Sequence, residues 1–135
     1  HTHTHTHTHT HTHTHTYLQF EDNNPGSVCE VEFHEDGSFY RMAFCPASAD
    51  DQVQACLPVM ALDGAHLTGN WLGTMLVLSM LSALNTYQII ALAWVPVESG
   101  PHYEFLMKAA FKACPSFSHF TNGMTLISDR LKGKQ

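Results

Sequence analysis

The stretch VMALDGAHLTG, Val59 to Gly69, decides how the chain is read. An apolar run of strand-forming residues carries one carboxylate, Asp63, to Gly64, where the run is expected to break. A buried strand that ends in an acid beside a glycine presents that acid rigidly to a substrate or a metal. A second unit of the same kind, MTLISDR, carries Asp129 at the end of an apolar run from Met124 to Ser128. Whether the two aspartates share a site depends on how their strands are arranged.

The residues around the hub supply the other elements. Upstream, Val28 to Phe33 alternates apolar with acidic, Glu35-Asp36-Gly37 is a turn, and Ser38 to Phe44 alternates back, which predicts a β-hairpin. Tyr17 to Ser27 reads as a turn-rich loop, and Pro46 to Leu57 as a polar connector or a short helix. Downstream, Gly64 to Val97 contains no Asp, Glu, Lys or Arg. Such a run admits a transmembrane helix from Leu72 to Val97. Asn85-Thr-Tyr-Gln88 would then lie at mid-span, and neither flank carries the basic residues that orient a span, so two buried antiparallel strands explain the same letters better. These are Thr74 to Leu84 and Gln88 to Val97, turning at Asn85 to Tyr87. From Pro101 the period changes: Tyr103, Phe105, Leu106, Ala109, Ala110 and Ala113 recur at helical spacing, up to a stop at Cys114-Pro115. A loop from Ser116 to Gly123 then leads to the last strand, and Arg130 to Gln135 looks like the opening of another helix.

Composition narrows the function classes. The chain has 135 residues and a formal net charge of −6, and the first 16 residues are eight His-Thr dipeptides. A CA dinucleotide repeat translated in this frame reads His-Thr, so residues 1–16 are taken as a disordered simple repeat, ahead of an affinity tag and of a metal-binding strand. From Tyr17 to Gly100 the only basic residue is Arg41, which excludes a nucleic-acid surface built from the front half. The four cysteines, Cys29, Cys45, Cys56 and Cys114, form no CxxC pair and are expected as free thiols. The histidines outside the repeat, His34, His66, His102 and His119, do not fall at zinc-ligand spacings with them.

The predicted order is a hairpin, a strand with Asp63, an antiparallel pair, a helix, and a strand with Asp129. Its second part is the first half of an RNase H-like α/β fold: three antiparallel strands, a helix and a parallel fourth strand beside the first. The segments LDGAHLTG, VPVES before HYEFLMKAAF, and LISDRLKG resemble the transposase domain of Mutator-like elements, the MULE family. NPGS and the EVEFHEDGSFYRMAF hairpin are similar to the region before that domain, so the resemblance runs from Asn24 to Gln135. The division it implies is 1–16 repeat, 17–57 hairpin and connector, and 58–135 the N-terminal part of the MULE domain.

The resemblance implies metal-dependent DNA cleavage and strand transfer by an Asp-Asp-Glu site, with Asp63 the first acid and Asp129 the second. Both would hold Mg²⁺ or Mn²⁺, hard cations that prefer carboxylate oxygens. In such sites two ions roughly 4 Å apart serve in-line displacement at phosphorus. It also implies transposon-end DNA as partner, self-association and a nuclear location. His66 would lie near the scissile phosphate or pack at the sheet edge. Arg130, Lys132 and Lys134 would touch phosphates or begin a solvated helix. Each acid also has a structural reading, Asp63 as a turn residue and Asp129 as a helix cap. No carboxylate follows Asp129, so a fragment inactive alone is expected. Glu98 is set aside as a cap or surface charge, Glu104 as solvated, and Trp71 and Trp94 as core or sheet-surface aromatics. The competing classes are a non-catalytic DNA- or protein-binding derivative and a small membrane protein.

Overall fold

A computed structural model describes residues 19–128. The His-Thr repeat and Asp129, Arg130, Lys132 and Lys134 lie outside the described residues. The described chain is a mixed α/β fold around one six-stranded sheet. Its elements are β1 (Val28–Phe33), β2 (Phe39–Cys45), α1 (Ala49–Gln54), β3 (Cys56–His66), β4 (Thr74–Ser82), β5 (Tyr87–Val95), α2 (Gly100–Ala113), a 3-10 turn (Pro115–His119) and β6 (Thr125–Ser128). The strand order is β1-β2-β5-β4-β3-β6.

Both predicted hairpins form. β1 and β2 pair antiparallel, with Val28 opposite Cys45 and Val31 opposite Met42. Their turn is held by Asp36, whose Oδ1 accepts from the Ser38 N–H at 2.8 Å and the Ser38 hydroxyl at 2.6 Å, while Gly37 takes φ 83°. β4 and β5 pair from Thr74 opposite Val95 to Leu81 opposite Tyr87. In their turn Asn85 takes φ 62° and the Ser82 N–H donates to the Thr86 carbonyl at 2.7 Å. The run from Leu72 to Val97 thus contributes two strands, not a transmembrane helix, and among the described residues no helix is long and apolar enough to cross a membrane.

Two expectations change. Residues 19–23 are helical where a loop is expected, and Phe20 packs edge-on against Phe44 with centroids 4.9 Å apart. Gly64 does not end β3, which continues to His66 and pairs with β4 without a break from Met60, Asp63 opposite Val77 and Gly64 opposite Leu76. The irregularity in β3 lies instead between Cys56 and Met60, where Pro58 has no N–H to give a ladder.

β6 returns parallel to β3, with Val59 opposite Thr125 and Leu62 opposite Ser128. Parallel neighbours need a crossover, and α2 supplies it over one face of the sheet. That face is the core: Met60, Leu76, Leu78, Met80, Ile90, Ala93 and Val95 of the strands meet Leu106, Ala109 and Ala110 of the helix. The alternate residues Met42, Phe44, Met75, Val77, Leu92 and Trp94 point to the opposite face and stay half-buried. α1 and the 3-10 turn are joined by Asp50, whose Oδ1 accepts from the Ser116 N–H at 2.9 Å, and by Gln54, which donates to the Ser116 hydroxyl at 3.0 Å.

The N-terminal end of α2 is fixed to the hairpin by Arg41. Its guanidinium bonds Glu32 at 2.7 and 3.1 Å, lies 4.0 Å over the Phe105 ring, and places Nη1 3.2 Å from His102 Nδ1. Arginine only donates, so Nδ1 accepts and the buried ring is neutral. Burial, then the Arg41 charge, lowers the His102 pKa below its ordinary 6.5, with Glu32 opposing. A lowered folded-state pKa means that the unfolded chain takes up the proton first. Stability present above pH 6.5 is therefore lost as the pH falls below it. Thermal melts are expected to show a falling midpoint between about pH 7 and about pH 5, and His102→Gln is expected to flatten that fall. An unchanged slope in the variant would contradict this placement of the proton.

Candidate functional site

Asp63 lies on β3 between buried Leu62 and half-buried Gly64, with its own side chain exposed. Its Oδ1 accepts from the Gly64 N–H at 2.8 Å, which leaves the other carboxylate oxygen without a partner among the described residues. Strand alternation puts Leu62 and Gly64 on the face covered by α2 and Asp63 on the opposite face. The parallel pairing with β6 ends at Leu62 opposite Ser128, one residue short of Asp63 on one strand and, in the sequence, one short of Asp129 on the other.

Gly64, expected from the sequence to let a substrate or metal come close, instead admits a side chain of the same chain. A Cβ built there would stand 2.9 Å from Glu98 Oε2 and 3.3 Å from Thr74 Cγ2. A side chain at this position would therefore displace the tip of Glu98, whose carboxylate lies against the strand. Glu98 Oε1 accepts from the Tyr103 hydroxyl at 2.8 Å. Burial first, then that hydrogen bond, then the negative charges of Glu98 and Asp63 push the Tyr103 pKa well up, so the phenol stays protonated and donates. Glu98 is thus neither a plain surface charge nor a side-chain cap of α2, whose N-cap residue Ser99 makes no side-chain capping bond. The available sequence signal was the glycine inside a strand pattern, which marks close approach by another group.

The other candidates separate. His66 is exposed at the end of β3, opposite Thr74. Three residues along a strand is roughly 10 Å, and an odd spacing faces the other way, so β3 does not bring His66 to Asp63. Glu104 is solvated as expected, paired with Lys108 at 3.3 Å. Trp71 packs edge-on against Phe39 at 5.4 Å, and Trp94 is half-buried on β5. All four cysteines are free and buried. Beside β3 a groove of about 400 Å³ runs between α2 and β6, walled by Leu62, Tyr103, Met107, Phe111 and Leu126.

Among the described residues no three His, Cys, Asp or Glu side chains are grouped to hold a metal ion. Asp63 fits a hard divalent cation in donor type, as a solvent-facing carboxylate, but one carboxylate does not make a site. Comparison of the chain with protein-family models, with curated proteins and with solved structures returned no match.

Replacing Gly64 with alanine forces the Glu98 carboxylate away and breaks its bond to Tyr103. The expected loss is about 1 kcal/mol in urea unfolding, the worth of a typical hydrogen bond, and Tyr103→Phe should cost a similar amount. Because both changes remove one interaction, the double variant should cost less than their sum. Full additivity would show that Gly64 and Tyr103 do not act through Glu98.

Proposed function

We propose that the chain carries the N-terminal part of an RNase H-like MULE transposase domain, with Asp63 and Asp129 as two acids of a metal-dependent DNA cleavage and strand-transfer site. The observation that carries this reading is the strand arrangement β5-β4-β3-β6, with β6 parallel to β3 on the side away from β4. It makes the strand that bears Asp63 the direct neighbour of the strand that leads to Asp129. An exposed carboxylate oxygen on a sheet strand is a rigidly placed hard donor, which suits Mg²⁺ or Mn²⁺. Bound there, the ion supplies Lewis-acid activation of water or a DNA 3′-hydroxyl.

Asp63's own part is to hold charge and position at the strand, with the Gly64 N–H fixing one of its oxygens. Glu98 is not the third acid in this reading. It approaches β3 from the helix-covered face and is engaged by Tyr103, whereas Asp63 faces the other way. In this reading none of the described carboxylates besides Asp63 is an acid of the site. Transposon-end DNA as partner, assembly with further copies and a nuclear location follow from the same reading.

A second reading is a non-catalytic DNA- or protein-binding derivative. Mn²⁺ titration followed by NMR separates the two. The transposase reading predicts paramagnetic broadening at the amides of Leu62, Asp63 and Gly64 that Asp63→Asn abolishes, and abolition by the same substitution of any metal-dependent nicking of supercoiled DNA. No broadening there, together with DNA association that ignores both Asp63→Asn and chelation, would favour the binding derivative and overturn the metal role.

A further inference from the structure

α2 ends against the sheet on two thiols that the proposed site does not use. Cys114 follows the last residue of α2, its N–H donating to the Ala110 carbonyl at 2.9 Å, and Cys45 is the last residue of β2. Their Sγ atoms are 3.7 Å apart, and both residues are fully buried. The Cys45 thiol also faces the Ile90 carbonyl at 3.3 Å. A disulfide bond is about 2.05 Å long, so the sulfurs have about 1.6 Å to close, a displacement within reach of small side-chain rotations. Among the described residues the other two thiols, Cys29 and Cys56, make no contact of this kind. The sulfur pair is thus the one place where this fold brings two cysteines together from distant parts of the sequence.

We infer that Cys45 and Cys114 are the site of a reversible disulfide that ties the C-terminal end of α2 to β2 when the chain meets a low-molecular-weight disulfide such as oxidised glutathione. One cysteine thiolate attacks the small disulfide, forming a mixed disulfide and releasing one small thiol. The second thiolate attacks the protein-bound sulfur, forms the Cys45–Cys114 bond and expels the other small thiol. Two protons and two electrons leave the cysteines and end on the two small thiols.

Burial sets the condition for the reaction. With both side chains enclosed, a reagent reaches them only when the end of α2 lifts from the sheet, so the oxidation rate reports that local opening. The hydrogen bond with Cys114 and burial raise the Cys45 thiol well above its ordinary pKa, while the same hydrogen bond lowers Cys114, so Cys114 is the partner that more readily gives the attacking thiolate once exposed. Once formed, the bond closes a span of 69 residues and restricts the unfolded chain.

The test uses the full chain, purified reduced and incubated with oxidised glutathione, then read by intact mass, peptide mapping and thermal melting. The expected result is the loss of two hydrogens, a linked Cys45–Cys114 peptide, and a midpoint about 5 °C or more above the reduced form, reversed by dithiothreitol. The Cys29→Ser/Cys56→Ser variant should behave the same way, and Cys45→Ala or Cys114→Ala should abolish the shift. Stable glutathione adducts on Cys45 or Cys114, or cross-links from them to other cysteines or other chains, would overturn the inference. If the alanine variants fail to fold, the peptide map of the parent chain decides the matter.

Discussion

The parallel pairing of β3 with β6 is the constraint on which the rest of the structure depends. Antiparallel neighbours can be joined by a two-residue turn, but parallel ones oblige the chain to cross the sheet before it returns. α2 makes that crossing, and in doing so packs over β1, β2, β5 and β4, where Ala43, Leu76, Leu78, Ile90 and Ala93 are buried with Leu106, Ala109 and Ala110. Everything that fixes α2 therefore fixes the core: Arg41 and His102 near its start, Glu98 and Tyr103 at the β3 edge, and the Cys114 thiol at its end.

Much of this was legible in the letters. Period-two alternation with Asp36-Gly37 at the turn marks the first hairpin. The uncharged run broken by Asn85-Thr86 marks the second, and the apolar spacing from Tyr103 to Ala113 marks α2. These signals are local, each set by backbone geometry within a few residues. What was not legible is non-local. Gly64 looks the same in sequence whether it ends a strand or leaves room for a carboxylate 34 positions away, and only the packing of Glu98 against it distinguishes the two. The acidic positions of β1 looked simply polar, yet Glu30 and Glu32 face α2 and reach Lys112 and Arg41. The helical turn at residues 19–23 was hidden for a different reason: it is short, and its anchor, Phe20 on Phe44, comes from across the fold.

The candidate site divides along the same line. That Asp63 sits on a strand next to the one leading to Asp129 was expected from reading the order of a strand, an antiparallel pair, a helix and a strand as RNase H-like, in which the fourth strand returns beside the first. The chemistry around Asp63 did not follow from order. His66, close in sequence, faces away, whereas Tyr103, distant in sequence, feels its charge. Leu126 and Ile127 of β6 are about half exposed, at 45% and 48%, on an edge strand beside the groove. Such an edge is where a further strand, a partner or another copy would be accommodated.

The proposed shared site requires Asp63, on β3, to lie close to Asp129, which follows β6 in the sequence. Nitroxide labels introduced through Asp63→Cys and Asp129→Cys, in a background with the four native cysteines replaced by alanine or serine, test it by continuous-wave EPR. Strong dipolar broadening of the doubly labelled spectrum is predicted. A spectrum equal to the sum of the two singly labelled ones would contradict the shared site and with it the transposase reading.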